Sequence, residues 1–97
     1  MRRKNTESIG EVLRQYFDEN PFIKRKIAEN RAVSGWKALL GKSATNYTTS
    51  IYLRNGVLYV QLSSAVLRSE LLMAKDMLKK KLNEYAGMPV IDDIVLR

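Results

Sequence analysis

One stretch decides the fold of this chain: Ile51-Tyr52-Leu53-Arg54-Asn55-Gly56-Val57-Leu58-Tyr59-Val60. Asn-Gly between two β-prone runs favours a type I′ turn, in which both central residues have positive φ. A two-residue turn also fixes the register of the strands that it joins. The predicted pairs are Leu53 with Leu58, Ile51 with Val60, Thr49 with Leu62, and Tyr52 with Tyr59. The two tyrosines then share one face of the sheet with Arg54 and Val57, and the other face is apolar.

A long amphipathic helix follows the hairpin. Ser63 and Ser64 are both suitable N-caps, and Gly87 before Pro89 is a suitable C-terminal stop. Between them, apolar residues recur at spacings of three and four, which is typical of one helical stripe: Leu67, Leu71, Ala74, Leu78, Leu82 and Tyr85. The pattern predicts a single helix from about residue 65 to residue 86.

Two helical regions precede the hairpin. Ser8 to Glu11 matches a capping box, with Thr6 as the competing cap, and predicts a helix that ends near Glu19. Its apolar face is formed by Ile9, Val12, Leu13, Tyr16 and Phe17. Asn20-Pro21 then predicts a stop and a new start.

The second region contains Phe22, Ile23 and Ile27, and then Val33, Trp36, Leu39 and Leu40. The weak apolar phase around residues 30–35 leaves open whether it is one bent helix or two short ones. Trp36 is predicted as a core residue. Gly41 is predicted as a C-terminal cap, and residues 42–46 as a linker.

The element order α-α-β-β-α-β indicates an α+β fold. Residues 90–96 are predicted as a final strand, with Ile94 and Leu96 inward and Asp93 and Val95 outward. Because a helix returns the chain before this strand, it should run parallel to the second strand. We place it beside the first strand, which gives a split β-α-β sheet of order 2-1-3 covered on one face by helices. Residues 1–5 are predicted as a flexible basic arm and residues 6–97 as one domain.

Composition argues against several classes of protein. The chain of 97 residues contains no cysteine and no histidine, so the usual metal ligands and the commonest general base are missing. No glycine-rich phosphate loop or nucleophile elbow occurs. We therefore predict no enzyme activity, no cofactor, no metal and no small-molecule substrate. No apolar run approaches the roughly 18 residues of a membrane span, and no signal peptide is visible, so we expect a cytoplasmic protein without membrane contact.

The net charge of +7 favours a polyanionic partner, and nucleic acid is the usual one. Two basic groups are the predicted contact sites: Arg2, Arg3 and Lys4, and Lys24, Arg25 and Lys26. A third run, Lys79 to Lys81, is explained by the dipole at the carboxyl end of its helix. Tyr52, Tyr59 and Arg54 would form a stacking platform for unpaired bases if their sheet face is open. The alternative is a cross-strand tyrosine pair that only stabilises the hairpin.

The chain resembles the domain of unknown function 721 family, which includes the DciA-type proteins of bacterial replication. The resemblance rests on these residues: Ser8 to Leu13, Trp36 to Gly41, Thr48, Gly56 to Val60, Ser63-Ser64, Leu67 with Glu70-Leu71, Leu82-Asn83, Gly87 and Asp93 to Arg97. The compact form is similar to members from the Bacteroidetes group. The resemblance implies a K-homology-like fold, although the Gly-x-x-Gly loop of K-homology domains is absent.

The same resemblance implies a non-enzymatic role in DNA replication, with contacts to DNA and to the replicative helicase. The basic arm and the helical lysines would hold DNA in single- or double-stranded form. Two alternatives remain open. One is a protein–protein adaptor whose positive charge meets an acidic partner. The other is a small RNA-binding module.

Overall fold

The computed structural model describes the backbone of residues 2–97 and the side chains of residues 9–16 and 18–97. Four helices and three strands follow one another along the chain. They are α1 (Arg2–Glu19), α2 (Pro21–Asn46), β1 (Thr48–Arg54), β2 (Val57–Leu62), α3 (Ala65–Met73), α4 (Lys75–Ala86) and β3 (Asp93–Leu96). The α+β class is confirmed, with a three-stranded mixed sheet.

The predicted hairpin is confirmed at its turn. Asn55 and Gly56 have φ of 51° and 80°, as a type I′ turn requires. Pairing follows the expected register from Arg54 opposite Val57 to Ile51 opposite Val60. Farther from the turn, a bulge between residues 48 and 50 shifts the register, so that Leu62 lies opposite Thr48. The predicted pair of Thr49 with Leu62 is therefore wrong, because the bulge inserts one extra residue into β1.

The sheet order is β1-β2-β3, so the predicted order 2-1-3 is wrong. Strand β3 is parallel to β2, as expected, but it pairs with β2 itself. The physical reason lies in the composition of the strands. The inward side chains of β2 are at most 4% exposed, whereas β1 begins with the polar residues 48–50 and suits an edge. Placing the most apolar strand in the centre buries it best. The K-homology-like arrangement stays a prediction.

The core lies between one face of the sheet and helices α2 and α4. Its main buried side chains are Ala28, Ala32, Trp36, Leu58, Val60, Leu62, Leu78, Leu82, Val90, Ile91 and Ile94. Trp36 is 2% exposed, which confirms it as a core residue. Its Nε1 donates a hydrogen bond to Thr48 Oγ1 at 3.0 Å, and that hydroxyl donates to the Ala44 carbonyl at 2.8 Å. The indole is thus buried with its polar atom satisfied.

Three predicted helix ends are confirmed. Asn20 caps α2 through its side chain, which accepts a hydrogen bond from the Ile23 N–H at 3.1 Å, and Pro21 occupies the first helical position. Ser64 caps α3 by accepting from the Leu67 N–H at 3.1 Å. Gly87 ends α4 with φ of 89°.

The predicted single helix after the hairpin is two helices, α3 and α4, with a break at Ala74. The φ and ψ of Ala74 are −104° and 14°, and its N–H donates to the carbonyls of Leu71 and Leu72. The apolar stripe continues across the break, since Leu71, Leu78 and Leu82 are all buried. Alanine has no side chain that would cap a helix, so the sequence carries no signal for this break.

Corrections are needed at two other helix boundaries. Residues 42–46, which were predicted as a linker, are helical and belong to α2. The backbone of Gly41 is not helical, with φ of 79° and ψ of −174°, so it separates a helix that is continuous over residues 21–40 from this short second segment. The predicted helix end at Gly41 is therefore confirmed, and the predicted linker is wrong. Helix α1 begins at Arg2, which places Thr6 and Ser8 inside the helix rather than at its cap. The flexibility predicted for residues 1–5 stays a prediction.

The last strand starts at Asp93 rather than at Val90. The preceding turn is held by one side chain, Asn83 of α4. Its Oδ1 accepts hydrogen bonds from the N–H groups of Val90 and Ile91 at 3.1 and 2.8 Å, and its Nδ2 donates to the Ile91 carbonyl at 3.0 Å. These bonds replace the strand pairing that residues 90–92 were predicted to make.

Candidate nucleic-acid interface

The sheet face opposite the core is open and carries aromatic and cationic side chains. Tyr52 on β1 is 43% exposed, and Tyr59 lies directly opposite on β2, half-buried. Their rings stack with centroids 5.0 Å apart and an interplanar angle of 20°. The structure thus brings together two of the residues predicted for the stacking platform, in the predicted register.

A third residue of this face, Arg97, was missed by the sequence analysis. Its guanidinium carbon lies 5.2 Å from the centre of the Tyr59 ring, and its Nη2 donates a hydrogen bond to the Tyr52 hydroxyl at 3.1 Å. The backbone of Arg97 is fixed against β2 by bonds to the Leu62 N–H and the Val60 carbonyl. Val95 was predicted to face outward, and strand alternation puts Arg97, two residues later, on the same face. Because β3 was predicted to lie beside β1 and not beside β2, Arg97 was not expected next to Tyr59.

The three side chains leave one aromatic surface for a ligand. Tyr59 lies between Tyr52 on one neighbouring strand and Arg97 on the other, so its ring is already covered by protein atoms. Tyr52 belongs to the edge strand and keeps more of its ring exposed. An unpaired base stacking on this face would therefore meet Tyr52, with the guanidinium of Arg97 beside it.

A notch lies between the tip of the hairpin and the first turns of α2. Its volume is about 420 Å³, and its lining includes Arg25 and Lys26 from α2 and Arg54 from the end of β1. Along β1, Arg54 points to the same side as Tyr52. The structure therefore brings two residues of the second basic group next to the predicted platform.

Two carboxylates lie in the same notch. Glu29 forms ion pairs with Arg25 at 3.5 Å and with Lys26 at 3.7 Å. Asp92 lies against the turn, and its backbone N–H donates to the Gly56 carbonyl at 2.6 Å. Exposed ion pairs of this kind are weak, about 0–1 kcal/mol each. A phosphate that approaches the notch can therefore compete with Glu29 for both cations.

The remaining predicted contact residues are placed elsewhere. Lys24 is not part of the notch lining and instead lines a different cavity with Arg14 and Arg31. Arg2, Arg3 and Lys4 lie on the first turn of α1, and their side chains are outside the described part of the chain. The structure therefore does not bring Lys24 to the platform, and the contacts of residues 2–4 stay a prediction.

The lysines of α4 contact the start of β3 and its preceding loop. Lys75 Nζ lies 3.0 Å from the Asp93 carboxylate, and Lys79 Nζ donates to the Asp92 carbonyl at 3.4 Å. The hydrogen bond from Lys75 is the main reason why the pKa of Asp93 lies below its ordinary value of 3.8, and the backbone N–H of Ile94 adds to the effect. This agrees with a structural role for at least part of this basic run.

The side chains that the structure describes include no group of three or more carboxylates that could hold a metal ion. Among the described residues, no helix is both long and apolar enough to cross a membrane.

Fold and site together define a small basic α+β domain whose open sheet face combines exposed tyrosine with arginine. The chain belongs to the DciA family: the family profile described as "Dna[CI] antecedent, DciA" matches residues 8–96. This match confirms the resemblance to the family formerly known as domain of unknown function 721. Membership is consistent with a helicase-loader-like role in DNA replication. No curated protein matches the chain.

Proposed function

We propose that this protein is a non-enzymatic DNA-replication factor that binds single-stranded DNA on its open sheet face and contacts the replicative helicase. One observation supports the DNA part: Arg54 shares a sheet face with the exposed Tyr52 and also lines the same notch as Arg25 and Lys26. A cationic track beside an aromatic ring is the usual way in which proteins hold an unpaired strand.

In the proposed complex, one base stacks on Tyr52, and the phosphates on its flank follow Arg54 into the notch. Base–aromatic stacking contributes about 1–3 kcal/mol per base, and it tolerates any sequence. Each neutralised phosphate adds affinity that weakens as salt is raised. We expect the binding to be sequence-independent, because every base has a π-face that can stack on Tyr52.

The helicase part rests on membership of the DciA family, whose role suggests contact with the replicative helicase. A factor that acts on replicating bacterial DNA works where the chromosome lies, so we place it in the cytoplasm. We propose no catalytic step, because the proposed role of the protein is to hold DNA and the helicase together.

Fluorescence anisotropy with labelled oligonucleotides tests the DNA part. The wild-type protein should bind a single strand at low salt, and Tyr52→Ala should weaken that binding about tenfold, which equals 1.4 kcal/mol. Tyr47→Ala is the matched control, because Tyr47 is similarly exposed, at 49%, and precedes β1 outside the platform. It should leave the affinity unchanged.

Two results would contradict this proposal. If the wild-type protein binds no oligonucleotide at low salt, the DNA-binding role is wrong. If Tyr52→Ala lowers the free energy of unfolding but leaves the affinity unchanged, the tyrosine pair is only structural. Repeating the titration with RNA of the same sequence tests the RNA-binding alternative, which predicts tighter binding to RNA than to DNA.

A protein–protein adaptor is the second candidate function, and the exposed apolar side chains of α1 favour it. This reading predicts no measurable affinity for either nucleic acid.

A further inference from the structure

Helix α1 exposes the apolar side chains that an amphipathic helix normally buries. Ile9, Val12 and Leu13 form a stripe at helical spacing, and they are 61%, 64% and 52% exposed. We call these three residues the α1 stripe. Among the side chains that the structure describes, none from α1 belongs to the buried core. The stripe therefore has no substantial cover within the described part of this chain.

The opposite, charged side of α1 faces the rest of the protein. Arg14 and Asp18 line a cavity of about 250 Å³ together with Lys24 and Arg31 of α2. An amphipathic helix that served only to complete this core would face the other way, with its apolar side inward. The orientation of α1 thus presents the stripe outward, which is the arrangement of a helix used for docking.

The surface area argues against a second copy of this chain as the occupant of the stripe. Burying one aliphatic side chain removes on the order of 100 Å² of apolar surface, so two copies of three half-exposed residues would bury roughly 300–400 Å². Stable interfaces bury at least about 1,200 Å². Two chains that each carry a net charge of +7 also repel each other.

A groove on a partner protein escapes both objections. It surrounds the helix and so buries its flanks as well as the stripe. Helix α1 contains four basic and four acidic residues, so it presents no net charge that such a groove would repel.

We propose that the α1 stripe docks into an apolar groove on a partner protein. In the proposed function this partner is the replicative helicase. The inference therefore rests on that function, and it assigns the α1 stripe as the surface of this protein that contacts the helicase. The open sheet face lies on other elements, β1 to β3, and can hold DNA while α1 is docked.

Biolayer interferometry with the purified replicative helicase of the host tests this proposal. The variant is the full chain with Val12→Gln and Leu13→Gln, because glutamine keeps helix propensity and removes only the apolar surface. We expect its Kd for the helicase to rise about 10- to 100-fold, since two buried apolar contacts are lost. The thermal midpoint should change by less than about 4 °C, because both side chains are already exposed in the free protein.

The matched control is Met73→Gln with Met77→Gln, which removes two other exposed apolar side chains, 80% and 64% exposed, from the α3–α4 junction. It should leave helicase affinity within about twofold, which corresponds to roughly 0.4 kcal/mol. An equal loss in both variants would show that general surface apolarity, and not the α1 stripe, drives binding.

Other outcomes separate the inference from the function on which it rests. If the wild-type chain binds the helicase and the α1 variant binds equally well, the docking surface is wrong and the helicase contact stands. If the wild-type chain does not bind the helicase, the proposed contact is wrong and this inference fails with it. A wild-type dimer in light scattering that the α1 variant abolishes would assign the stripe to a second copy. Binding to anionic vesicles that the same variant abolishes would assign it to a lipid surface.

Discussion

Replacing Asn83 with alanine tests how the last strand is attached to the rest of the protein. The Asn83 side chain makes three hydrogen bonds to the backbone of Val90 and Ile91, which are 0% and 2% exposed. The Val90 N–H keeps a second acceptor, the Met88 carbonyl at 2.9 Å. The substitution therefore leaves mainly the N–H and the carbonyl of Ile91 without a hydrogen-bond partner.

The magnitude follows from those two groups. A buried backbone group left without a partner costs about 1–3 kcal/mol, so Asn83→Ala should lower the free energy of unfolding by about 2–6 kcal/mol. A domain of this size has only about 5–15 kcal/mol in total. Since about 1 kcal/mol shifts the thermal midpoint of such a domain by 4–8 °C, a loss near 3 kcal/mol should lower it by roughly 12–24 °C.

Urea unfolding followed by circular dichroism measures this change. Glu84→Ala is the control, because Glu84 is the next residue on α4 and is exposed. Its effect should stay within about 0.5 kcal/mol. If Asn83→Ala is no more destabilising than Glu84→Ala, the three hydrogen bonds do not hold the turn before β3, and our account of this connection is wrong.

Three further predictions concern the hairpin turn, helix α1 and the start of β3. Gly56→Ala should destabilise the protein by about 1–3 kcal/mol, because φ is 80° and a Cβ would collide with the Asp92 carboxylate. Gly10→Ala should instead stabilise it by about 0.5–1 kcal/mol, since this helical glycine has open space around it. Urea titrations of both variants check the pair, and a Gly56→Ala protein as stable as wild type would contradict the turn geometry. For Asp93, whose pKa is lowered in the folded state, the stabilisation is present above pH 3.8 and is lost as the pH falls through the lower folded pKa. The difference in stability between wild type and Lys75→Gln should therefore shrink as the pH falls below that value, and a difference that grows there would contradict the assignment.

The hairpin could be predicted because its information is local. Asn55-Gly56 fixes the turn, the turn fixes the register, and the register places Tyr52 opposite Tyr59. The caps at Asn20 and Ser64 are equally local, since each side chain bonds a backbone N–H only three residues away. Such features depend on a few neighbouring residues and need no knowledge of the rest of the fold.

The misplaced features depend on contacts between distant residues. Both β1 and β2 offered an edge to β3, and only the burial of Leu58 and Val60 in the centre of the sheet decides between them. Arg97 was missed for the same reason, because its contact with Tyr59 exists only when β3 lies beside β2. The break at Ala74 has no local signal, and the helix that follows it, α4, packs against the distant helix α2.

In the candidate site, too, some positions could be predicted from local sequence, and others depend on contacts between distant residues. Tyr52, Tyr59 and Arg54 could be placed together from strand alternation alone. That Arg25 and Lys26 reach Arg54 while their neighbour Lys24 does not depends on how α2 lies across the sheet. A run of cations in a sequence therefore does not mark one surface, since adjacent residues on a helix point about 100° apart.

The salt dependence of DNA binding shows whether the hairpin notch holds the DNA backbone. The protein with Arg25→Gln, Lys26→Gln and Arg54→Gln should be compared with one carrying Lys37→Gln, Lys42→Gln and Lys80→Gln, which loses the same charge from exposed positions outside the notch. Loss of three phosphate contacts should flatten the slope of log K against log salt for a single strand by about 2. We predict this change for the first variant and a much smaller one for the second. Equal slopes for the first variant and the wild type would contradict the claim that the hairpin notch holds the DNA backbone.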